Sequence, residues 1–468
     1  MLLSMKEKVS YGVGAFGKDL VYMLVSAYLL IYYNTILGVD SVFIGAVLMG
    51  ARVFDAFNDP LMGIIIAKTN SKWGKFRPWI LSGTVLNAVV LYALFAVPEN
   101  AGTGTMKVWL TAVYLLWGIT YTVMDIPYWS MIPAITTVGK ERENVSAMAR
   151  SCAGVGSAIP TVLTMIIVPI LGGGAEVMNK RIGFKYWALL IAVIFVVSEV
   201  ICVLNVREKE ETNMEAHDIK SMFKALFSND QAVAIVISII LINTALYLTS
   251  NLVYYYFAYD IGDGSGAYSM FNAFGGGSQI LAMMLFPVFR KFFEKKRLFY
   301  VAALMEISGY VLILMFAFTN ITRITPQNPN GWMICFLPGL LIFMGSGLLN
   351  VLLTVFLSDS IDYGESLTGR RDESVIFSMQ TFVVKLASGI SAFFAGVAIK
   401  AVGLKVTDGA TVADQAAGSL IGLRCVMTLI PAVGLVCAIL FFKSRYKLDE
   451  EYLQEIIKKL EEKRGKAK

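Results

Sequence analysis

Histidine is nearly missing from this sequence: of 468 residues only His217 is one, and it sits in a polar stretch. A relay of histidine protons is therefore excluded. Charge is scarce as well, with 16 % of residues ionisable as Asp, Glu, Lys or Arg, well short of the roughly one quarter usual in soluble domains. An ordinary water-soluble globule is excluded by that shortage. The five cysteines, Cys152, Cys202, Cys335, Cys425 and Cys437, lie in or beside apolar runs without metal-like spacing. They read as small core residues, and neither a disulfide framework nor a zinc site is expected. No basic face suited to nucleic acid stands out, and the net charge of +6 belongs to loops. A nucleotide site is also excluded. Gly12 to Gly17, GVGAFG, with Lys18 imitates a phosphate loop, but Asp19 follows where Ser or Thr is needed, and no strand precedes it. Those glycines are expected to let helices approach closely. No cleavable signal peptide is expected either, since Lys6 and Lys8 lead into a run that reads as a retained helix.

What is present is apolar: 57 % of residues are hydrophobic, and glycine is abundant at 40, as in membrane helices that pack closely. Apolar runs of roughly 20 residues, the length that spans a bilayer, predict twelve helices. They fall near 10–37, 41–67, 77–98, 106–134, 145–171, 184–205, 231–258, 267–289, 297–318, 332–358, 373–402 and 418–442. The fold class is thus an all-α polytopic membrane protein. A six-helix bundle over 1–205, a polar linker at 206–230, a second six-helix bundle over 231–442 and a charged tail at 443–468 are expected. Lysine and arginine gather in alternate loops: Lys68, Lys72, Lys75 and Arg77; Lys140 and Arg142; Arg290, Lys291, Lys295, Lys296 and Arg297; Arg370 and Arg371. By the positive-inside rule both termini, the linker and the tail are cytoplasmic. Lys180, Arg181 and Lys185 run against that trend. The basic loops after the second and eighth helices, KTNSKWGKFR and FRKFFEKKR, form a faint internal echo.

Acids inside such runs carry the chemistry. Asp19, Asp55, Asp59 and Asp125 lie in predicted spans of the first half, where a carboxylate costs about 2.5–3.5 kcal/mol and must face protein or water. Tyr121, Asp125 and Trp129 share one helical stripe, with Thr122 beside it. An aromatic face beside a carboxylate suits a sugar ring and its hydroxyls; the other reading is an acid that only tethers helices. Asp55 and Asp59 stand at i and i+4 on one face, where two like charges repel unless a cation or a proton intervenes. Asn58 and Thr122 could add neutral oxygens to such a cation site. Alternatively Arg52, one turn before, neutralises the pair. The bases are Lys18, Arg52, Arg150 and Lys385, the last deep in the second half, with Thr381 on its face and Gln380 beside it.

The segments KVSYGVGAFGKD, ARVFDAFNDPLMG, SKWGKFRPWIL, LWGITYTVMDIPYWSMIP, YGES and FSMQTFVVK resemble the glycoside–pentoside–hexuronide:cation symporters of the major facilitator superfamily, and most of all the melibiose carriers among them. The resemblance implies the major facilitator fold, twelve transmembrane helices in two six-helix bundles around a central cavity. It implies a site for Na+, Li+ or H+ at Asp55, Asn58, Asp59 and Thr122, the metal forms resting on Asp55 and Asp59. It implies a sugar site at Lys18, Asp19, Tyr121, Asp125, Trp129, Arg150, Gln380, Thr381 and Lys385. Asn350 departs from it, standing where those carriers place a tryptophan.

The expected function is cation-coupled symport of a glycoside such as melibiose or another galactoside, with no enzymatic step and no cofactor beyond the coupling cation. The partners are the glycoside, a monovalent cation and the lipid bilayer, with no nucleic acid; a regulatory protein on the cytoplasmic face is left open. A membrane-embedded glycosidase would use two of the acids as an acid–base pair, but it needs water access and a soluble domain or large loop. The alternatives are a symporter of a different glycoside, pentoside or hexuronide in the same family, and a transport-inactive sugar sensor, which would keep the same binding residues.

Overall fold

In the computed structural model the described residues are 3–69, 71–136, 140–208, 224, 226–262, 266–368, 373–407 and 410–466. Among them helices dominate. Six long helices build the first half: α1 Met5–Ile31, α2 Ser41–Ala67, α3 Arg77–Phe95, α4 Thr103–Ser130, α5 Lys140–Gly172 and α6 Val177–Asn205. Six more build the second: α7 Asp230–Tyr256, α8 Gly266–Phe292, α9 Lys295–Phe318, α10 Phe336–Thr368, α11 Glu373–Ala401 and α12 Ala417–Arg445. A thirteenth, α13 Glu450–Lys466, closes the chain. Over the described residues, ten of the twelve are long and apolar enough to cross a membrane. The other two are no shorter, at 27 residues each. In α8 the hydropathy is diluted by three consecutive glycines with Asn272 and Gln279.

The helices sort into two compact units, Met1–Ala216 with Lys405–Ala410, and His217–Leu404 with Thr411–Lys468. Within the first unit α1 lies against α5 and α6, α3 joins α4 to α6, and α2 rests on α4. Within the second unit α7 lies against α11 and α12, α9 joins α10 to α12, and α8 rests on α10. These contacts correspond helix for helix, although α5 also lies along α6 whereas α11 and α12 barely meet. Each also ends its first helix in a π-helical turn, Tyr32–Ile36 after α1 and Phe257–Ile261 after α7. The faint echo in the loops is therefore a repeat in packing.

Local chemistry explains the joints. Ser4 and Glu7 form a capping box at the start of α1, the Ser4 N–H donating to Glu7 Oε2 at 2.7 Å. The SKWGKFRPW segment is held by Glu208, whose carboxylate accepts from the backbone N–H of Lys75 at 2.7 Å and of Phe76 at 2.9 Å. An acid here satisfies orphan donors at the start of α3 and complements its dipole. Gly74 permits the contact, because its φ of +101° and a neighbouring Glu208 oxygen leave no room for a side chain. On α1, a Cβ on Gly17 would lie 2.5 Å from Ser198 Cβ on α6. The glycines of GVGAFG thus serve close packing, as expected.

Several helices outrun their apolar stretches. α5 begins at Lys140, α6 at Val177, and α10 runs on to Thr368 through SDSIDYGESLT. The hydrogen-bond ladder needs no apolar side chains once it leaves the bilayer. The charged tail packs too: α13 lies on α10 and buries Leu453 and Ile456.

Candidate functional site

Two polar clusters lie in the first unit, and α4 contributes to both. In the first cluster, adjacent residues on α1 supply Lys18 and Asp19, and α4 supplies the stripe Tyr121, Asp125 and Trp129. Lys18 is buried at 3 % exposure. Its Nζ donates to Asp125 Oδ1 at 2.7 Å and stands 3.4 Å from Asp19 Oδ2. A buried ammonium needs such company, because removing it from water without a paired anion costs several kcal/mol. The same Nζ lies 4.7 Å from the centre of the Trp129 ring and 5.9 Å from that of Tyr121. The Arg150 guanidinium on α5 is 5.2 Å from the Trp129 ring centre. The indole thus meets two cations, while the side chains of Asp19 and Asp125 keep 18 % and 24 % of their surface open. Half-open carboxylates beside an aromatic face offer acceptors and a stacking plane together.

In the second cluster α2 meets α4. The Arg52 guanidinium donates to Asp55 Oδ2 at 3.2 Å, and the Thr122 hydroxyl donates to Asp59 Oδ1 at 3.0 Å. The two acids are therefore served differently: arginine takes Asp55, and a neutral hydroxyl takes Asp59. Gly118 leaves room, since a Cβ there would come within 3.1 Å of Asp55 Oδ1. The amide nitrogen of Asn58 is buried and has no hydrogen-bond partner; turned over, that amide would present its oxygen at the same place. Two carboxylates, an amide and a hydroxyl make a hard oxygen donor set suited to a small cation. Among the described residues no group of three or more His, Cys, Asp or Glu side chains gathers to hold a metal ion.

An aromatic wall stands between the clusters. Tyr22, one turn after Lys18 on α1, lies 6.3 Å from Trp117 and 5.6 Å from Tyr121, ring centre to ring centre. Its other neighbour is the Arg52 guanidinium, 5.9 Å away. Tyr22 escapes the sequence reading, although its four-residue spacing from Lys18 is a usable signal. So does the pair Tyr11 and Tyr128, which locks α1 to α4 beside the site. A fifth intramembrane acid, Glu199 on α6, joins the four expected in this half; it too stands in an apolar run and obeys the same rule.

In the second unit the expected residues lie on α11. The Gln380 amide donates to Thr354 Oγ1 at 3.2 Å. Lys385 is half-buried, and the side chain of Thr381 lies outside the described residues. Lys385 is not alone as an interior base of this half. Arg424 on α12 is buried and clamps Asp260 through Nε at 2.6 Å and a terminal nitrogen at 2.7 Å, with Arg323 as a further partner of Asp260 at 2.9 Å. The Asn350 amide bonds back to the Ser346 carbonyl at 3.0 Å.

The chain is similar in structure to a bacterial homologue of the human lysosomal transporter Spinster, solved inward-facing and unoccupied. The TM-score is 0.68 at 14 % identity over 97 % of this chain and 99 % of that one. The two chains therefore share one all-α, many-helix fold. In sequence it is 29 % identical to a lactose permease of Lactobacillus delbrueckii subsp. bulgaricus, over 98 % of this chain and 73 % of that protein. It is 28 % identical to an isoprimeverose transporter of Lactiplantibacillus pentosus, over 97 % of this chain and 91 % of that protein. The family model described as MFS/sugar transport protein matches residues 10–450. The chain belongs to that family, and its expected kinship with the glycoside–pentoside–hexuronide:cation symporters holds.

Proposed function

We propose that this sugar transport protein couples uptake of a glycoside to a monovalent cation. Lys18, Asp19, Tyr121, Asp125, Trp129 and Arg150 bind the sugar, with Asp19 and Asp125 accepting from its hydroxyls and Trp129 stacking on the ring. Asp55, Asn58, Asp59 and Thr122 bind Na+, Li+ or H+. Gln380, Thr381 and Lys385 of the second unit are assigned to the sugar by the resemblance. Both termini are cytoplasmic. One observation carries the reading: residues one turn apart on α4 are committed to different clusters, Thr122 to Asp59 and Asp125 to Lys18. A single turn of helix thus serves both ligands.

The energetics suffice without chemistry on the sugar. A cation falling through 100 mV yields about 2.3 kcal/mol and a tenfold gradient about 1.4 more, enough together for roughly 500-fold accumulation at one-to-one stoichiometry. The substrate is a glycoside such as melibiose or another galactoside. The relatives named for lactose and isoprimeverose support the class, and Asn350 marks where the second ring's preference is set. Counterflow of labelled glycosides in proteoliposomes, run with Na+, Li+ or a proton gradient, tests all of this. Counterflow that no cation stimulates would sink the coupling, and no counterflow with any glycoside would sink the transport reading.

A further inference from the structure

Glu199 has no role in the two clusters, yet among the described residues it is the most deeply enclosed acid of the first unit. Its exposure is 0 %, and neither carboxylate oxygen has a hydrogen-bond partner. It stands on α6 with its carboxylate against α1: a Cβ on Gly14 would lie 3.1 Å from Glu199 Oε2. The charged groups acting on it are Lys18 and Asp19 from α1 and Asp125 from α4. Tyr11 from α1, Tyr121 and Tyr128 from α4 and Cys202 on its own helix interact with it as well. On α3 the Arg77 guanidinium acts on Cys202 and is taken by the Val203 carbonyl, at 2.8 Å. On α5 Arg150 is engaged with Trp129.

Lys18 already answers to two carboxylates, both closer to water than Glu199 is. An ionised Glu199 would be a third anion beside one ammonium, buried and accepting from no donor. That is the costliest arrangement open to a carboxylate, and neutralisation relieves it. We propose that Glu199 is a proton-binding site of the first unit, distinct from the cation site at Asp55 and Asp59. Its carboxylate takes a proton from water, forming one O–H bond, and gives the proton back to water on ionisation. Protonated, it leaves Lys18 to Asp125. Ionised, it draws the ammonium away and disorders the stripe that meets the sugar. That second half rests on the sugar reading above; the proton site itself does not.

Infrared spectroscopy of the full-length protein in lipid, in H2O and in D2O, reads the C=O stretch of a protonated carboxylic acid. The expected result is a band at neutral pH that fades at alkaline pH and that Glu199→Gln diminishes. Glu306 on α9 is also fully buried and accepts from Tyr310, so Glu306→Gln is run beside it to remove that contribution. Glu199→Asp keeps the acid and should shift the band instead of deleting it. Spectra of Glu199→Gln and Glu199→Asp identical to wild type overturn the assignment, as does a wild-type spectrum without the band at neutral pH. In a second arm lactose affinity is measured by calorimetry across pH. Wild type should lose roughly tenfold between neutral and alkaline pH, within the usual range of coupling between two sites, and Glu199→Gln should be flat. Equal pH dependence in both proteins overturns the link to Lys18. Absence of lactose binding at every pH, with the band intact, counts against the sugar reading and for the proton site.

Discussion

Tyr11 and Tyr128 exchange hydrogen bonds across α1 and α4, each phenol donating to the other's backbone carbonyl. The Tyr11 hydroxyl reaches the Tyr128 carbonyl at 2.6 Å, and the two rings stack with centres 4.5 Å apart and planes 9° from parallel. Both residues are fully buried, so neither carbonyl has water as a substitute. Removing one hydroxyl deletes a buried hydrogen bond to a carbonyl that keeps its helical N–H partner, at a cost of about 0.5–1.5 kcal/mol. Tyr128→Phe should therefore lower the denaturation midpoint measured in detergent. Tyr11→Phe added to it should cost less than the sum of the single changes, since paired groups couple. Additive losses would show that the two bonds act independently.

Asp125→Ala should weaken sugar binding roughly tenfold or more, because a charge-assisted hydrogen bond contributes about 1.5–3 kcal/mol. Lys18 then loses its nearest anion and keeps Asp19 at 3.4 Å, so the protein should insert and fold with reduced stability. Calorimetric titration with a galactoside is the check, and intact affinity would reduce Asp125 to a tether between α1 and α4.

Thr122→Ala tests the shared turn. If cation and sugar favour one closed state, each raises the other's affinity by the same factor. The substitution should shrink the Na+-dependent gain in sugar affinity more than it shrinks affinity without Na+. Titrations with and without saturating Na+, on both proteins, give the ratio. An unchanged ratio would route the coupling through α2 instead.

The docking of α13 should depend on pH. Burial pushes the Glu450 carboxyl up, but the Lys295 N–H and the charges of Arg290 and Lys295 outweigh it and hold the acid below the usual carboxylate range. Arg290 donates to Glu450 Oε1 at 2.8 Å and the Lys295 N–H at 3.1 Å. A depressed carboxyl stabilises the docked form above the ordinary carboxylate range, and that contribution is lost as pH falls through its lowered value. Glu450→Gln should remove the pH dependence and speed hydrogen exchange over residues 450–456 by up to about fivefold, since a half-exposed pair contributes about 0.2–1 kcal/mol. Exchange that responds equally to acid in both proteins would place the docking energy in Leu453 and Ile456 alone.

The helices were legible because a bilayer imposes one length and one polarity on every span. Their ends were not. Hydropathy registers the membrane, whereas Lys140–Asn144 before the apolar part of α5 and Ser358–Thr368 at the end of α10 extend the ladder into water. The acids at 19, 55, 59 and 125 were conspicuous for the same reason the spans were. Glu199 carries that signal too, so its omission was one of reading and not of information. Which partner each acid takes was beyond sequence. Periodicity put Arg52 near Asp55, but the Thr122 bond to Asp59 and the Lys18 bond to Asp125 join residues 63 and 107 positions apart. Tyr11 and Tyr128 were hidden similarly, two aromatic residues among many until the chain brings them together.

The seam of α1 with α6 makes Gly17 as exacting a position as the charged residue beside it. With its Cβ place already filled by Ser198, that position tolerates no addition, whereas Lys18 next to it tolerates no subtraction. A saturation scan of 8–19 should therefore show two intolerant classes side by side. One is sensitive to what a side chain does, the other to whether there is one at all. Only the first would be rescued by adjusting salt, pH or sugar concentration.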